Sequence, residues 1–170
     1  MKQPKEIDFN NFNTSDLCHN DFIEYTEGYK YQLAKTSAFK LYFRAGLVED
    51  IETKYIKLTV DGWLIIKEGY AWDGASGPTY DSENTMRASM VHDALYQLLR
   101  MGIIEAFYRD ESDQQLYVLV REDGMWYIRA KAWFNALDWF GGSAASPKSR
   151  KKIYRAGMGR KKYNLKRIKK

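Results

Sequence analysis

A single cysteine, Cys18, in 170 residues excludes an intramolecular disulfide framework and fits a reducing compartment. Histidine is nearly as scarce. With His19, His92 and Cys18 as the chain's whole His/Cys complement, a zinc centre of three or four ligands would have to draw on carboxylates. No stretch approaches the roughly 18 consecutive apolar residues of a membrane span. The N-terminal MKQPKEIDFNNFN has no apolar core of the signal-peptide kind. These absences predict a soluble protein with no transmembrane segment. Acid is missing from one region only. From Lys148 to Lys170 there are twelve Lys/Arg and no Asp/Glu, whereas the preceding residues hold fifteen Lys/Arg against 22 Asp/Glu, a net of −7. The overall charge of +5 comes from the tail, so any argument for an anionic partner belongs to the tail alone.

What is present is a globular composition, 45% hydrophobic and 15% aromatic, at a length that suits one domain. Residues 1–24, rich in Asn and Asp with scattered Phe, read as an arm laid on the domain. Residues 25–142 read as a single α+β domain and 143–170 as a basic C-terminal tail. Within the domain, the residues from Lys30 to Phe43 predict two short strands around Lys35–Ser37, with Leu41 and Phe43 on one face. Tyr55–Val60 alternates polar and apolar residues. Asp61-Gly62 follows, and Trp63–Ile66 resumes a strand, which predicts a hairpin closed by a two-residue type I′ turn. The first half is thus expected to be one small antiparallel sheet.

The period then changes to that of helices. Asp81 or Ser82 can cap a helix reaching about Arg100, with Gly102 as its stop. A second helix is predicted over Arg109–Arg121, with Leu116, Leu119 and Val120 inward, and a third over Met125–Phe140. The third is apolar around much of its circumference, which predicts a central place in the core. Gly141-Gly142-Ser143 is expected to end it. Strands followed by about three packed helices read as α+β.

The chemistry concentrates between Gly69 and Met101. Ser89, His92, Asp93 and Tyr96 fall at helical spacings that gather them into one polar patch. A neutral imidazole can take a proton from water when an acceptor fixes its other nitrogen. Asp110 and Asp113 on the next helix are the candidates for that acceptor, Asp113 preferred because Gln114 and Tyr117 are read on its face. Asp93 is a candidate ligand for a hard cation, and the Gly-rich loop from Trp72 to Pro78 offers main-chain oxygens around Trp72, Gly74 and Gly77, with Asp73 and Ser76 alongside. The bland alternative is that these groups tie helix to loop by hydrogen bonds alone. Ser76 does not stand in the Gly-x-Ser-x-Gly of a nucleophile elbow. In the tail, Lys151, Lys152, Arg155, Arg160, Lys161 and Lys162 interleave with Tyr154 and Tyr163, a composition suited to nucleic acid, an anionic membrane surface or an acidic protein.

The order Gly-Tyr-Ala-Trp-Asp-Gly-Ala-Ser-Gly-Pro-Thr, then Ser-Met-Val-His-Asp-Ala-Leu-Tyr-Gln, then a later Asp, resembles the phage and prophage "domain of unknown function" family numbered thirteen fifty-three. The resemblance runs from about Tyr29 to Leu137. It implies a bacteriophage setting, either the virion or the host cytoplasm, with other phage proteins as partners. A more distant similarity is to secretory and parvoviral phospholipases of the A-two class, which also run from a Gly-rich calcium loop to a helical His-Asp with a Tyr nearby and a second helical Asp. That similarity implies His92 as the water-activating base oriented by Asp113, and Ca²⁺ held by Asp93 with main-chain oxygens around Trp72, Gly74 and Gly77. The reaction it implies is metal-assisted hydrolysis of a lipid or cell-envelope ester. The alternative expectation is a non-enzymatic virion or assembly protein in which the same cluster is structural.

Overall fold

A computed structural model describes residues 25–26, 30–43, 47–76 and 79–149. The arm up to residue 24, Cys18 and His19 within it, Gly77 and the six tail cations named above lie outside the described residues. Seven short strands come first: β1 (Tyr25–Thr26), β2 (Tyr31–Leu33), β3 (Ser37–Lys40), β4 (Ile51–Glu52), β5 (Ile56–Leu58), β6 (Trp63–Ile66) and β7 (Ala71–Trp72). Three helices follow, α1 (Glu83–Met101), α2 (Tyr108–Glu122) and α3 (Tyr127–Ala145), and a 3-10 turn closes the described chain at Pro147–Ser149. The α+β organisation is the expected one.

The strands form two antiparallel sheets rather than one. The order β3-β6-β5-β4 makes a four-stranded sheet, and β1-β2-β7 a three-stranded one. The chain changes sheets at Ala34–Thr36, so the two strands expected around Lys35 belong to different sheets. The β5–β6 hairpin is present, with Leu58 opposite Leu64, but its turn is not type I′. Among the described residues none other than glycine has positive φ, and Gly62 sits at +80°. The Gly62 amide donates to the Thr59 carbonyl and the Thr59 amide to Trp63. The loop therefore spans Val60-Asp61-Gly62, with glycine alone taking the left-handed position at the strand restart. Leu58, Leu64 and Ile66 point into the core and are fully buried.

The helices begin and end where local chemistry directs. Ser82 is the N-cap of α1, its amide donating to Thr85 Oγ1 at 2.8 Å, and Gly102 closes the helix in the left-handed region. The buried faces of α1 and α2 meet through Met90, Leu95, Leu98, Leu116 and Leu119, all essentially without exposure. α3 differs from expectation twice. It continues through Gly141-Gly142-Ser143 to Ala145. It also lies against one side of the bundle instead of at its centre. Ala130, Trp133, Leu137 and Ala145 are buried, while Trp126, Tyr127, Ile128 and Trp139 are exposed. High apolar content mimicked the signature of a central helix; the stripe that packs is a normal one.

Arg87 on α1 is buried, and its guanidinium meets Glu122 at 2.8 Å and Asp123 at 2.8 and 3.1 Å at the end of α2. A fork of charge-assisted hydrogen bonds thus fixes α1 against α2 at the end remote from Gly102. Truncation to Arg87→Ala removes the cation but leaves both carboxylates in place. Because these are partly solvated, the expected cost is about 2 kcal/mol, below that of a fully buried pair. Thermal unfolding at pH 7 checks this: the melting temperature should fall by roughly 4–8 °C, and an unchanged value would remove the pair from the account of stability.

Candidate functional site

The centre of the site is a carboxylate shared by two donors. Asp113 of α2 is 2% exposed; its Oδ1 lies 2.7 Å from His92 Nε2 and accepts the Tyr96 hydroxyl at 2.7 Å. Both partners stand on α1 one turn apart, and their rings pack with centroids 4.0 Å from each other. With the proton on Nε2, the carboxylate holds the imidazole in one tautomer and leaves the Nδ1 lone pair outside this bond. Burial, followed by the charge and hydrogen bond of Asp113, drives the Tyr96 hydroxyl far above the ordinary phenol range. Tyr96 is thus a fixed proton donor to Asp113.

α3 completes this arrangement through an absent side chain. A Cβ on Gly141 would stand 2.5 Å from the Tyr96 hydroxyl and 3.8 Å from Asp113 Oδ2. Glycine here is a condition of the close approach, which is why the helix runs through it instead of stopping. Nearby, Arg109 of α2 pairs with Asp110 at 2.9 Å and with Asp138 of α3 at 3.6 Å. Asp110 is therefore exposed and occupied by an arginine; of the two candidate acceptors, Asp113 is the one beside His92. Gln114, read on the face of Asp113, is exposed instead.

A cavity of about 780 Å³ opens beside this cluster. His92 and Asp93 contribute to its wall, as do Trp72, Asp73, Gly74 and Ser76 of the loop, Tyr96 and Arg100 of α1, and Gly141 of α3. His92 itself is 4% exposed, so the ring forms part of the wall without projecting into the opening. Asp93 is partly buried, and burial pushes its carboxyl above the usual carboxylate range. His92, Arg100 and the main-chain amide of Asp73, which donates to it, pull the other way.

The loop is held from three sides. Trp72 is buried, and its indole donates to Ser89 Oγ at 3.2 Å, while Ser89 donates to the Met86 carbonyl. Ser89 is therefore an anchor for Trp72 rather than part of the His92 patch. Gly74, at φ +81°, leaves no room for a Cβ because Asp81 and Tyr31 occupy that space. The Asp81 carboxylate accepts the Ala75 amide at 2.6 Å and the Tyr31 hydroxyl at 2.9 Å, and pairs with Lys30 at 3.3 Å. Burial alone would raise its proton affinity, but these donors outweigh it and hold the carboxyl below the usual range. Trp133 of α3 donates to the Ser76 carbonyl at 3.0 Å, and Arg129 reaches Thr79, Tyr80 and Ser82.

The oxygen-bearing residues expected to hold a cation, Asp93, Asp73, Trp72 and Gly74, all line the cavity. Among the described residues no group of three or more His, Cys, Asp and Glu converges as a metal cluster. Oxygen ligands suit a hard cation, whereas zinc favours nitrogen and sulfur.

Gly141, Asp81, Tyr31, Arg100, Arg129 and Trp133 were not legible as site residues. Asp81 reads locally as a helix cap, and the Gly141-Gly142 pair as a helix terminator. The one available signal was the helix-forming Ala144-Ala145 beyond that pair. No helix among the described residues is long and apolar enough to cross a membrane. No protein-family model matches the chain, and neither a curated protein nor a solved structure matches it.

Gly141→Ala distinguishes close packing from simple helix propensity. At an unconstrained helical position the change would stabilise by about 1 kcal/mol. Here it should destabilise by roughly 1–3 kcal/mol, and Tyr96→Phe in the same chain should recover part of the loss. Denaturant unfolding of the two single variants and the double variant measures the coupling. Asp93 gives a second test. Because its folded pKa is raised, its contribution to stability is fully present below the unfolded value near 3.9. That contribution is lost as pH rises through the folded pKa. Asp93→Asn should therefore melt higher than wild type at pH 7, with the difference closing below about pH 4; melting curves across that range would expose a pH-independent difference as contrary.

Proposed function

We propose that the cavity beside α1 is a hydrolytic site in which His92 takes a proton from water attacking an ester. The observation that carries this reading is the pairing of His92 Nε2 with buried Asp113 at 2.7 Å, on the wall of an open cavity that also receives Asp93. A general base needs a fixed tautomer and a proton-accepting lone pair within reach of the reacting water. Asp113 supplies the first, and the position of the ring at the cavity wall is the basis for the second. Tyr96 positions Asp113, and Gly141 makes room for Tyr96. A hard divalent cation, Ca²⁺ in this reading, would be held by Asp93 with the main chain of Trp72, Gly74 and Gly77, and would polarise the ester carbonyl when bound. Asp93 is suited to that role because its ionised form lacks full compensation within the protein.

The resemblance to the phage family assigns the setting as virion or host cytoplasm, with other phage proteins as partners. The likeness to phospholipases assigns the substrate class as a lipid or cell-envelope ester. The basic tail, through Lys151, Lys152, Arg155, Arg160, Lys161 and Lys162, is assigned an anionic partner by its charge.

One observation favours a second reading. His92 and Asp113 are 4% and 2% exposed, burial of the kind that structural hydrogen-bond networks show. In that reading the cluster is architectural, and the protein is a virion or assembly component. His92→Ala separates the two. The hydrolytic reading expects hydrolysis of a short-chain phosphatidylcholine in the presence of Ca²⁺ to fall at least about 100-fold, with circular dichroism unchanged. The architectural reading expects no hydrolysis by wild type, and a stability loss of roughly 1–3 kcal/mol in the variant.

A further inference from the structure

We infer that Arg100, two turns of α1 beyond His92, is the anion anchor of the cavity and receives a phosphate group of the substrate. This rests on the hydrolytic reading of the same site and adds the chemical class of its ligand.

The basic side chains of the described bundle are mostly committed. Arg87 is held by Glu122 and Asp123, Arg109 by Asp110 and Asp138, and Arg129 by Thr79, Tyr80 and Ser82. Arg100 has a single long hydrogen bond, 3.4 Å from Nη1 to the Ala144 carbonyl, and no carboxylate within 4 Å among the described residues, although its charge is felt by Asp93 across the cavity wall. Arg100 nonetheless contributes to the cavity wall. A cation in the last turn of a helix also complements the helix dipole, but a lysine would serve that purpose equally. The planar fork is what a phosphate oxyanion uses.

Position agrees with that chemistry. His92, Tyr96 and Arg100 follow one another at intervals of four on the same face of α1, so the backbone positions of His92 and Arg100 stand about 12 Å apart along the axis. The guanidinium marks the place where an anionic group of an ester can reside while the scissile bond reaches the base.

The test is a heteronuclear NMR titration of the full chain with inorganic phosphate, and in a parallel arm with glycerophosphocholine. Wild type, Arg100→Gln, Arg100→Lys and His92→Ala are compared. Saturable shifts at the Arg100 Nε–H and the Ala144 amide are expected in wild type. In Arg100→Gln the affinity read at Ala144 should fall about tenfold, the scale of one charge-assisted contact; Arg100→Lys should retain part of it, and this variant carries the test if the glutamine form does not fold. Phosphate bound more tightly than the diester identifies a terminal phosphate, whereas equal binding identifies a headgroup phosphodiester. Affinity in Arg100→Gln equal to wild type, or no saturable shift in either arm, overturns the inference. His92→Ala should bind phosphate as wild type does, so loss of hydrolysis and loss of anion binding fail separately.

Discussion

A carboxylate buried among three helices has to be satisfied or the bundle cannot close around it, and Asp113 is that carboxylate. An ionised group removed from water costs several kcal/mol unless hydrogen bonds replace its hydration. His92 and Tyr96 provide two such bonds to one oxygen, from adjacent turns of one helix. The requirement passes outward from there. Both donors must stand on the face of α1 that meets α2, and α3 must come close enough to seal the group. Gly141 is the position at which that approach is possible. The orientation of the imidazole follows from the electrostatics of the core.

The loop beside it is governed by a second carboxylate with the opposite character. Asp81 is richly donated to, by Ala75, Tyr31 and Lys30, and it fixes the backbone around Gly74. Asp93, twelve residues further on and in the cavity wall, is under-compensated by comparison and holds its proton more tightly than an ordinary carboxyl. The same residue type thus serves as a structural brace at one position and as a strained charge facing a cavity at the other. What separates them is the number of donors the fold delivers. Strained charges of that kind concentrate at functional sites.

Local patterns foretold α1 almost residue by residue, because Ser82 and Gly102 mark its ends in ways that do not depend on the rest of the fold. They also brought His92, Asp93 and Tyr96 together, since helical spacing is a local property, and they ranked Asp113 above Asp110 as the partner across the helix pair. What they could not carry was distance in the chain. Tyr31 and Asp81 are fifty residues apart and meet only once β2 and β7 have paired. Gly141 looked like a stop because a glycine pair weakens a helix intrinsically; tertiary contact overrode that weakness. α3 looked central because exposed tryptophan is rare enough to be read as core. The tail remains a matter of charge alone.

Those tryptophans give the molecule a built-in optical contrast. Trp72 and Trp133 are buried on either side of the Gly-rich loop, one bonded to Ser89 and the other to Ser76, whereas Trp126 and Trp139 are 72% and 75% exposed. Indoles in these two environments emit at different wavelengths and meet aqueous quenchers to different degrees. The most blue-shifted, quencher-resistant part of the emission belongs to the pair that clasps the cavity loop, and the half-buried Trp63 of β6 falls between the two extremes. The outer pair, Trp139 on α3 and Trp126 at its N-cap, provides a reference that the cavity does not touch. A molecule entering beside Trp72 would therefore announce itself in one spectral component of the unlabelled protein.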